Sequence, residues 1–127
     1  AMRRPRGHAG ASRRAWRVRR QAADIGETVR GLVQELVSTK DIVAFVSESC
    51  PFCQRALKAL EEEGYTPVVV ETEDGSVLRE TLAQVAGSTS VPKVWVKGQF
   101  VGGCNDGGLG GVIPLLKSGK IQEMMSA

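Results

Sequence analysis

The sequence predicts an α/β domain on a mixed four-stranded sheet flanked by helices, in the order α-β-α-β-α-β-β-α. Three observations predict it. Short apolar runs rich in β-branched residues alternate with segments of helical period. Two of these runs are joined through a helix, which is the pattern of a parallel βαβ unit. Two others meet across Lys97-Gly98, a two-residue turn that makes an antiparallel hairpin. A chain of 127 residues fits all of this into one domain.

The first helix is expected from Ile25 to Ser38. Asp24 and Glu27 form the Asp-x-x-Glu pattern of a capping box. Ile25, Val29, Leu32, Val33, Leu36 and Val37 fall on one stripe, which Gly26 and Gly31 weaken. Ile42 to Val46 reads as a buried strand. Cys50-Pro51-Phe52-Cys53 then opens a helix that Gly64 stops, with proline at a first helical position. Thr66 to Val70 is the second strand, and Ser76 to Ala86 the third helix, ended by Gly87. Lys93–Val96 and Gln99–Val101 form the hairpin. Asn105 to Gly111 carries four glycines and is expected to be a loop. The last helix falls into two pieces, Val112–Lys117 and Lys120–Met125, with Pro114 in its first turn.

The composition is that of a globular chain, with 42% hydrophobic and 24% charged residues. Aromatics make up only 5%, so an aliphatic core is expected. No stretch approaches the roughly 20 apolar residues of a spanning helix, which argues against an integral membrane protein. Three cysteines are too few, and odd in number, for a disulfide-stapled scaffold.

The net charge of +3 hides an asymmetry. Residues 1–20 hold eight arginines and no acid, whereas residues 21–127 hold nine basic and fourteen acidic residues. The chain therefore reads as a basic, disordered tail over residues 1–23 on a mildly acidic domain over 24–127. Ala1, standing before Met2, reads as a remnant of cloning. The tail is rich in Arg, Ala and Gly and lacks a secretory apolar run, which suits a mitochondrial or plastid transit peptide. The alternatives are a nucleic-acid-binding arm or a tail without a role on a cytoplasmic protein. His8 has no second metal ligand nearby in sequence and reads as solvated.

Cys50 and Cys53 carry the strongest chemical signal. A C-x-x-C that leaves a strand and opens a helix, inside a βαβ pattern, reads as a redox-active dithiol. A thiol at a helix N-terminus meets unpaired N–H groups and the positive end of the helix dipole, and both favour the thiolate. Cys50 precedes the helix and is expected to be the exposed nucleophile. Cys53 lies one turn inside and is expected to be buried, able to close a disulfide with Cys50. Zinc would need a second ligand pair, which Cys104 and His8 do not make. The glycine run at 102–111 matches neither common phosphate-loop pattern. Val91-Pro92, before a strand, marks a tight turn compatible with a cis bond.

Three motifs in this order, Cys50-Pro51-Phe52-Cys53, Ser90-Val91-Pro92 and Gly102-Gly103-Cys104-Asn105-Asp106, strongly resemble those of the glutaredoxins. The resemblance covers about residues 25–127. It implies a thioredoxin fold and glutathione-dependent reduction of protein disulfides and glutathione mixed disulfides. By that resemblance Cys50 takes glutathione in mixed disulfide, Cys53 resolves it, and Phe52 stands where the family usually has Tyr. Val91, beside a cis Pro92, holds the cysteinyl unit of glutathione. Asn105 and Asp106 receive the γ-glutamyl end, through N–H groups at the start of the last helix and the Asp106 carboxylate, and Gly103 and Cys104 are also implied to bind glutathione. Arg79 faces the glycine carboxylate. Glutathione or a related small thiol and glutathionylated or disulfide-containing proteins are the implied partners, with a monomer expected and neither nucleic acid nor membrane. The alternative function within the family is to carry a [2Fe–2S] cluster ligated by Cys50 of two chains and two glutathiones, which Pro51 disfavours.

The sequence also departs from the family. Ser47 stands where a lysine that helps bind the glycine carboxylate is common, and Arg79 or Lys93 is expected to compensate. Glu48 opposes a thiolate electrostatically. Gly107-Gly108-Leu109-Gly110-Gly111 lengthens the segment after Asp106 and is expected to widen or loosen the site for a thiol larger than glutathione. Cys104 is expected to be incidental to the chemistry.

Overall fold

The structure, a computed structural model, describes residues 13–127. The expectations for residues 1–12, including those for Ala1 and His8, lie outside the described residues. The elements are α1 (Arg13–Thr39), β1 (Ile42–Val46), α2 (Pro51–Glu62), β2 (Val68–Glu71) and α3 (Val77–Ala86). They continue with β3 (Lys93–Val96), β4 (Gln99–Gly102), α4 (Val112–Lys117) and α5 (Lys120–Ser126).

The sheet runs β2-β1-β3-β4. β1 and β2 are parallel, as the intervening helix requires, and β1–β3 and β3–β4 are antiparallel. Lys97 and Gly98 turn the hairpin with φ of 51° and 81°. Two consecutive positive φ values are what a type I′ connection needs.

Successive strand residues point to opposite faces, so β1 feeds two cores. Ile42, Ala44 and Val46 pack with Leu60 of α2, Val112 and Leu115 of α4 and Ile121 of α5. Val43 and Phe45 pack with Val33 and Val37 of α1, Leu82 of α3 and Trp95 of β3. The first core is aliphatic, as the composition suggests. The second is not, because Trp95 sits edge-on to Phe45 at 5.5 Å and against Phe100 at 4.8 Å. Phe45, Trp95 and Phe100 gather on this face, whereas Tyr65 packs at the edge of the other core.

Three expectations are corrected. α1 begins at Arg13, not at Ile25, so residues 13–23 are helical and no break falls at 23/24. Asp24 lies inside the helix, where its carbonyl accepts from Thr28 Oγ1 at 3.0 Å, and caps nothing. Arg, Ala and Gln upstream are good helix formers, and the capping pattern does not stop them. The apolar stripe is also narrower than expected. Ile25 and Leu32 remain exposed, as do Val77 and Val85 of α3, and Val33 and Val37 carry the contact. β2 starts at Val68, just after Pro67, which lacks a ladder donor.

Candidate functional site

Cys50 is the N-cap of α2, with extended φ and ψ of −94° and 114°. This conformation follows from Pro51 at the first helical position, since the residue before proline is pushed out of the helical region. The Cys53 N–H donates to Cys50 Sγ at 3.4 Å, so the sulfur itself caps the helix. Cys50 Sγ in turn lies 3.7 Å from the Val91 carbonyl, which accepts from it. Cys50 is partly exposed and Cys53 is fully buried, the arrangement expected from their places in the turn. The Ser47 N–H donates to Cys53 Sγ at 3.4 Å. Burial nevertheless pushes the Cys53 thiol up from 9.0 to about 12, so it holds its proton.

Beside Cys50 opens a groove of about 320 Å³. Phe52, Val91, Pro92, Gly103, Asn105 and Asp106 line it, together with Cys104 and Ser90. The Val91–Pro92 bond is cis. Phe52 is exposed, and the Arg55 guanidinium lies 5.9 Å over its ring. Cys104 is buried, which raises its thiol pKa, while the Arg55 charge opposes that rise. All three motifs thus meet at one cleft. Ser90 is the lining residue that the implied site omitted; its place next to Val91-Pro92 was the available signal.

Arg79 does not line the groove. It is buried, and its guanidinium donates to Thr72 Oγ1 at 3.2 Å, Thr72 O at 3.1 Å and Thr89 O at 3.3 Å. Lys93 is likewise buried and donates to Ser88 Oγ and Ser90 O. Both cations brace the loop before Val91 in this structure, so neither stands as a free substitute for the lysine that Ser47 replaces.

The glycine-rich segment is corrected in two respects. The last helix starts at Val112, so Asn105 and Asp106 are not at its N-terminus. Its first N–H groups are already used: Val112 donates to Gly103 O at 2.8 Å and Ile113 to Cys104 O at 2.9 Å. The segment is also not loose. Leu109 and Gly111 both donate to Val101 O, and Gly103 donates to Asp106 O at 2.7 Å. A Cβ at Gly102, where φ is 115°, would run into the carbonyl oxygens of Gly107 and Asp106. One at Gly108, where φ is 52°, would lie 2.6 Å from the Gly102 nitrogen. Glycine is required at both positions because backbone passes against backbone.

A redox dithiol at the first turn of a helix, on this sheet order and facing a cis-proline turn, defines a thiol oxidoreductase of thioredoxin fold. The comparisons agree. Residues 42–101 match the glutaredoxin family model. Glutaredoxin-C6 of Oryza sativa subsp. japonica is 36% identical over 90 residues, which are 65% of this chain and 80% of that protein. A glutaredoxin of Pseudomonas aeruginosa is 34% identical, over 68% of this chain and 96% of its own length. Among solved structures, a buckwheat glutaredoxin–glutathione complex superposes with a TM-score of 0.70 at 26% identity, covering 80% of this chain and 90% of that one. Reduced glutaredoxin C1 from Populus tremula x tremuloides gives 0.71 at 26%, covering 83% and 88%. The chain belongs to the glutaredoxin family.

Proposed function

We propose that this chain is a dithiol, glutathione-dependent oxidoreductase that reduces glutathione mixed disulfides and protein disulfides. The observation that carries the reading is the position of Cys50 Sγ. It is capped by the α2 N-terminus and set against the Val91 carbonyl, at the mouth of a groove whose only charged lining residue is Asp106. A γ-glutamyl ammonium is the natural partner for that carboxylate. The N–H groups of Asn105 and Asp106 make no hydrogen bond among the described residues and suit the adjoining carboxylate. The buckwheat complex, similar in fold, supports glutathione as the ligand.

In the reaction the Cys50 thiolate attacks the glutathionyl sulfur of a protein mixed disulfide. The Cys50–glutathione disulfide forms and the protein thiolate leaves. A second glutathione thiolate then attacks the glutathionyl sulfur, releasing glutathione disulfide and restoring Cys50. With a protein disulfide, Cys50 forms the mixed disulfide and Cys53, after losing its proton, attacks Cys50 Sγ to free the product.

The test is glutathione-coupled reduction of a small mixed disulfide. Cys50→Ser is expected to lose about three orders of magnitude or more, as loss of a nucleophile does. Cys53→Ser is expected to keep that activity and lose protein-disulfide reduction. An inactive wild type would overturn the reading. The cluster-carrying alternative would need ligands from outside the chain, since no three metal-ligating side chains converge among the described residues. A visible absorption band in anaerobically purified protein would move it to the front. The basic segment, we further propose, addresses the chain to mitochondria or plastids; imaging of a fluorescent C-terminal fusion tests this.

A further inference from the structure

A second cavity, of about 310 Å³, adjoins the groove and shares Ser90, Pro92, Gly103 and Asp106 with it. Its other walls include Ser88, Lys93, Phe100, Gly107 and Gly108. Lys93 sets this cavity apart. Its side chain is 1% exposed, yet it pairs with no carboxylate within 4.0 Å among the described residues. Arg79, whose charge acts on Lys93, has among the described residues only Asp74 as counter-ion, at 3.9 Å and with a side chain 96% exposed. Burial, and then the Arg79 charge, press the Lys93 ammonium below its ordinary pKa. The positive charge here is under-compensated, which is unusual for a buried lysine.

The hydrogen bonds carry that charge outward. Lys93 Nζ donates to Ser88 Oγ at 2.9 Å and to Ser90 O at 2.7 Å. Ser88 Oγ lies 3.0 Å from Ser90 Oγ. An ammonium only donates, so Ser88 Oγ accepts from it and is free to pass its own proton bond to Ser90. The Ser90 proton is then available to a ligand as a charge-assisted donor. Across the cavity, the N–H groups of Gly107 and Gly108 make no hydrogen bond among the described residues.

We propose that this cavity is a second binding site, for an oxyanion of carboxylate or phosphate type, held by the Ser90 hydroxyl, which Ser88 links to Lys93, and by the Gly107 and Gly108 N–H groups. Asp106, the one acid on its walls, is shared with the groove and opposes an anion. A ligand ammonium paired with Asp106 removes that opposition. Resting on the glutathione reading of the groove, the anion and glutathione are therefore expected to strengthen each other's binding.

The experiment follows amide shifts of the isotope-labelled full chain during titration with inorganic phosphate and, separately, succinate, at constant ionic strength in chloride. Saturable shifts are expected at Ser88, Ser90, Gly107 and Gly108. The tighter of the two arms assigns the source, free phosphate or a substrate carboxylate. Lys93→Met is expected to weaken binding about tenfold or more and Ser88→Ala about threefold, the size of a lost charge-assisted and a lost neutral hydrogen bond. Ser88 is exposed, so its variant keeps the test decisive should Lys93→Met fail to fold. Shifts that never saturate, or binding unchanged in Ser88→Ala and in folded Lys93→Met, overturn the proposal. Saturating glutathione is expected to tighten phosphate binding about twofold to threefold. If glutathione leaves Val91 and Asn105 unshifted while phosphate still saturates, the functional reading fails and the oxyanion site stands.

Discussion

The two walls of the groove are built in opposite ways. One wall is the first turn of α2. There Pro51 pushes Cys50 out of the helical region, Cys50 caps the helix, and Cys53 falls one turn inside, all within four residues. The other wall is the Gly103–Gly111 segment, whose shape comes from backbone contacts with β4 and α4 as well as from hydrogen bonds within it. Local geometry makes the first wall robust. The second depends on backbone packing at close range, and a single added methyl group in it meets main chain. In the proposed function the chemistry sits on the first wall, and recognition of glutathione falls mainly to the second.

The largest expected effect that would break this comparison is on the second wall. Gly108→Ala forces a Cβ against the Gly102 nitrogen and the Phe100 carbonyl at a positive φ. It is expected to cost about 3 kcal/mol or more, lowering the melting temperature by roughly 10 °C or more in a domain of this size. An unchanged melting temperature would mean that the segment is slack after all. Next is Asp106→Asn, expected to raise KM for a glutathione mixed disulfide about tenfold with kcat little changed, since a charged partner of the ligand is lost. A fall in kcat at constant KM would place Asp106 in the chemical step instead.

The first wall has a smaller signature, in pH. Folded Cys53 keeps its proton up to about 12, whereas the unfolded chain releases it near 9.0. Between those values the unfolded state binds fewer protons, so stability falls as pH rises from 9.0 towards 12. Cys53→Ser is expected to show a shallower fall over the same window in denaturant titrations. An identical slope would show that Cys53 is not the titrating group. The smallest expected effect is that of Leu109→Ser. This side chain is half exposed at the segment's bend, and its loss should change stability by less than about 0.5 kcal/mol. A large loss would mean that the segment is held by its side chain and not by its backbone.

Much of this molecule was legible in residue order. β1, β3, the Lys97-Gly98 turn and both pieces of the last helix lie where period and turn chemistry put them, because each is decided by residues within a few positions. The C-x-x-C geometry was legible for the same reason. Less legible were the start of α1, where good helix formers run on upstream of a capping pattern, and the fate of Leu32, which periodicity puts on the core stripe and packing leaves exposed. Arg79 was less legible still: the family resemblance sets it toward a ligand carboxylate, and in the structure it donates to Thr72 and Thr89, seven and ten residues away.

By itself the sequence determined the order of elements, the dithiol and the set of motifs, since these depend on local sterics, hydrophobic period and side-chain chemistry. Only the tertiary structure decided which cations are free, that the glycine segment is stitched down, and that a buried lysine underlies two serines beside the groove. Those outcomes rest on hydrogen bonds and close approaches between segments whose mutual distances no local pattern encodes.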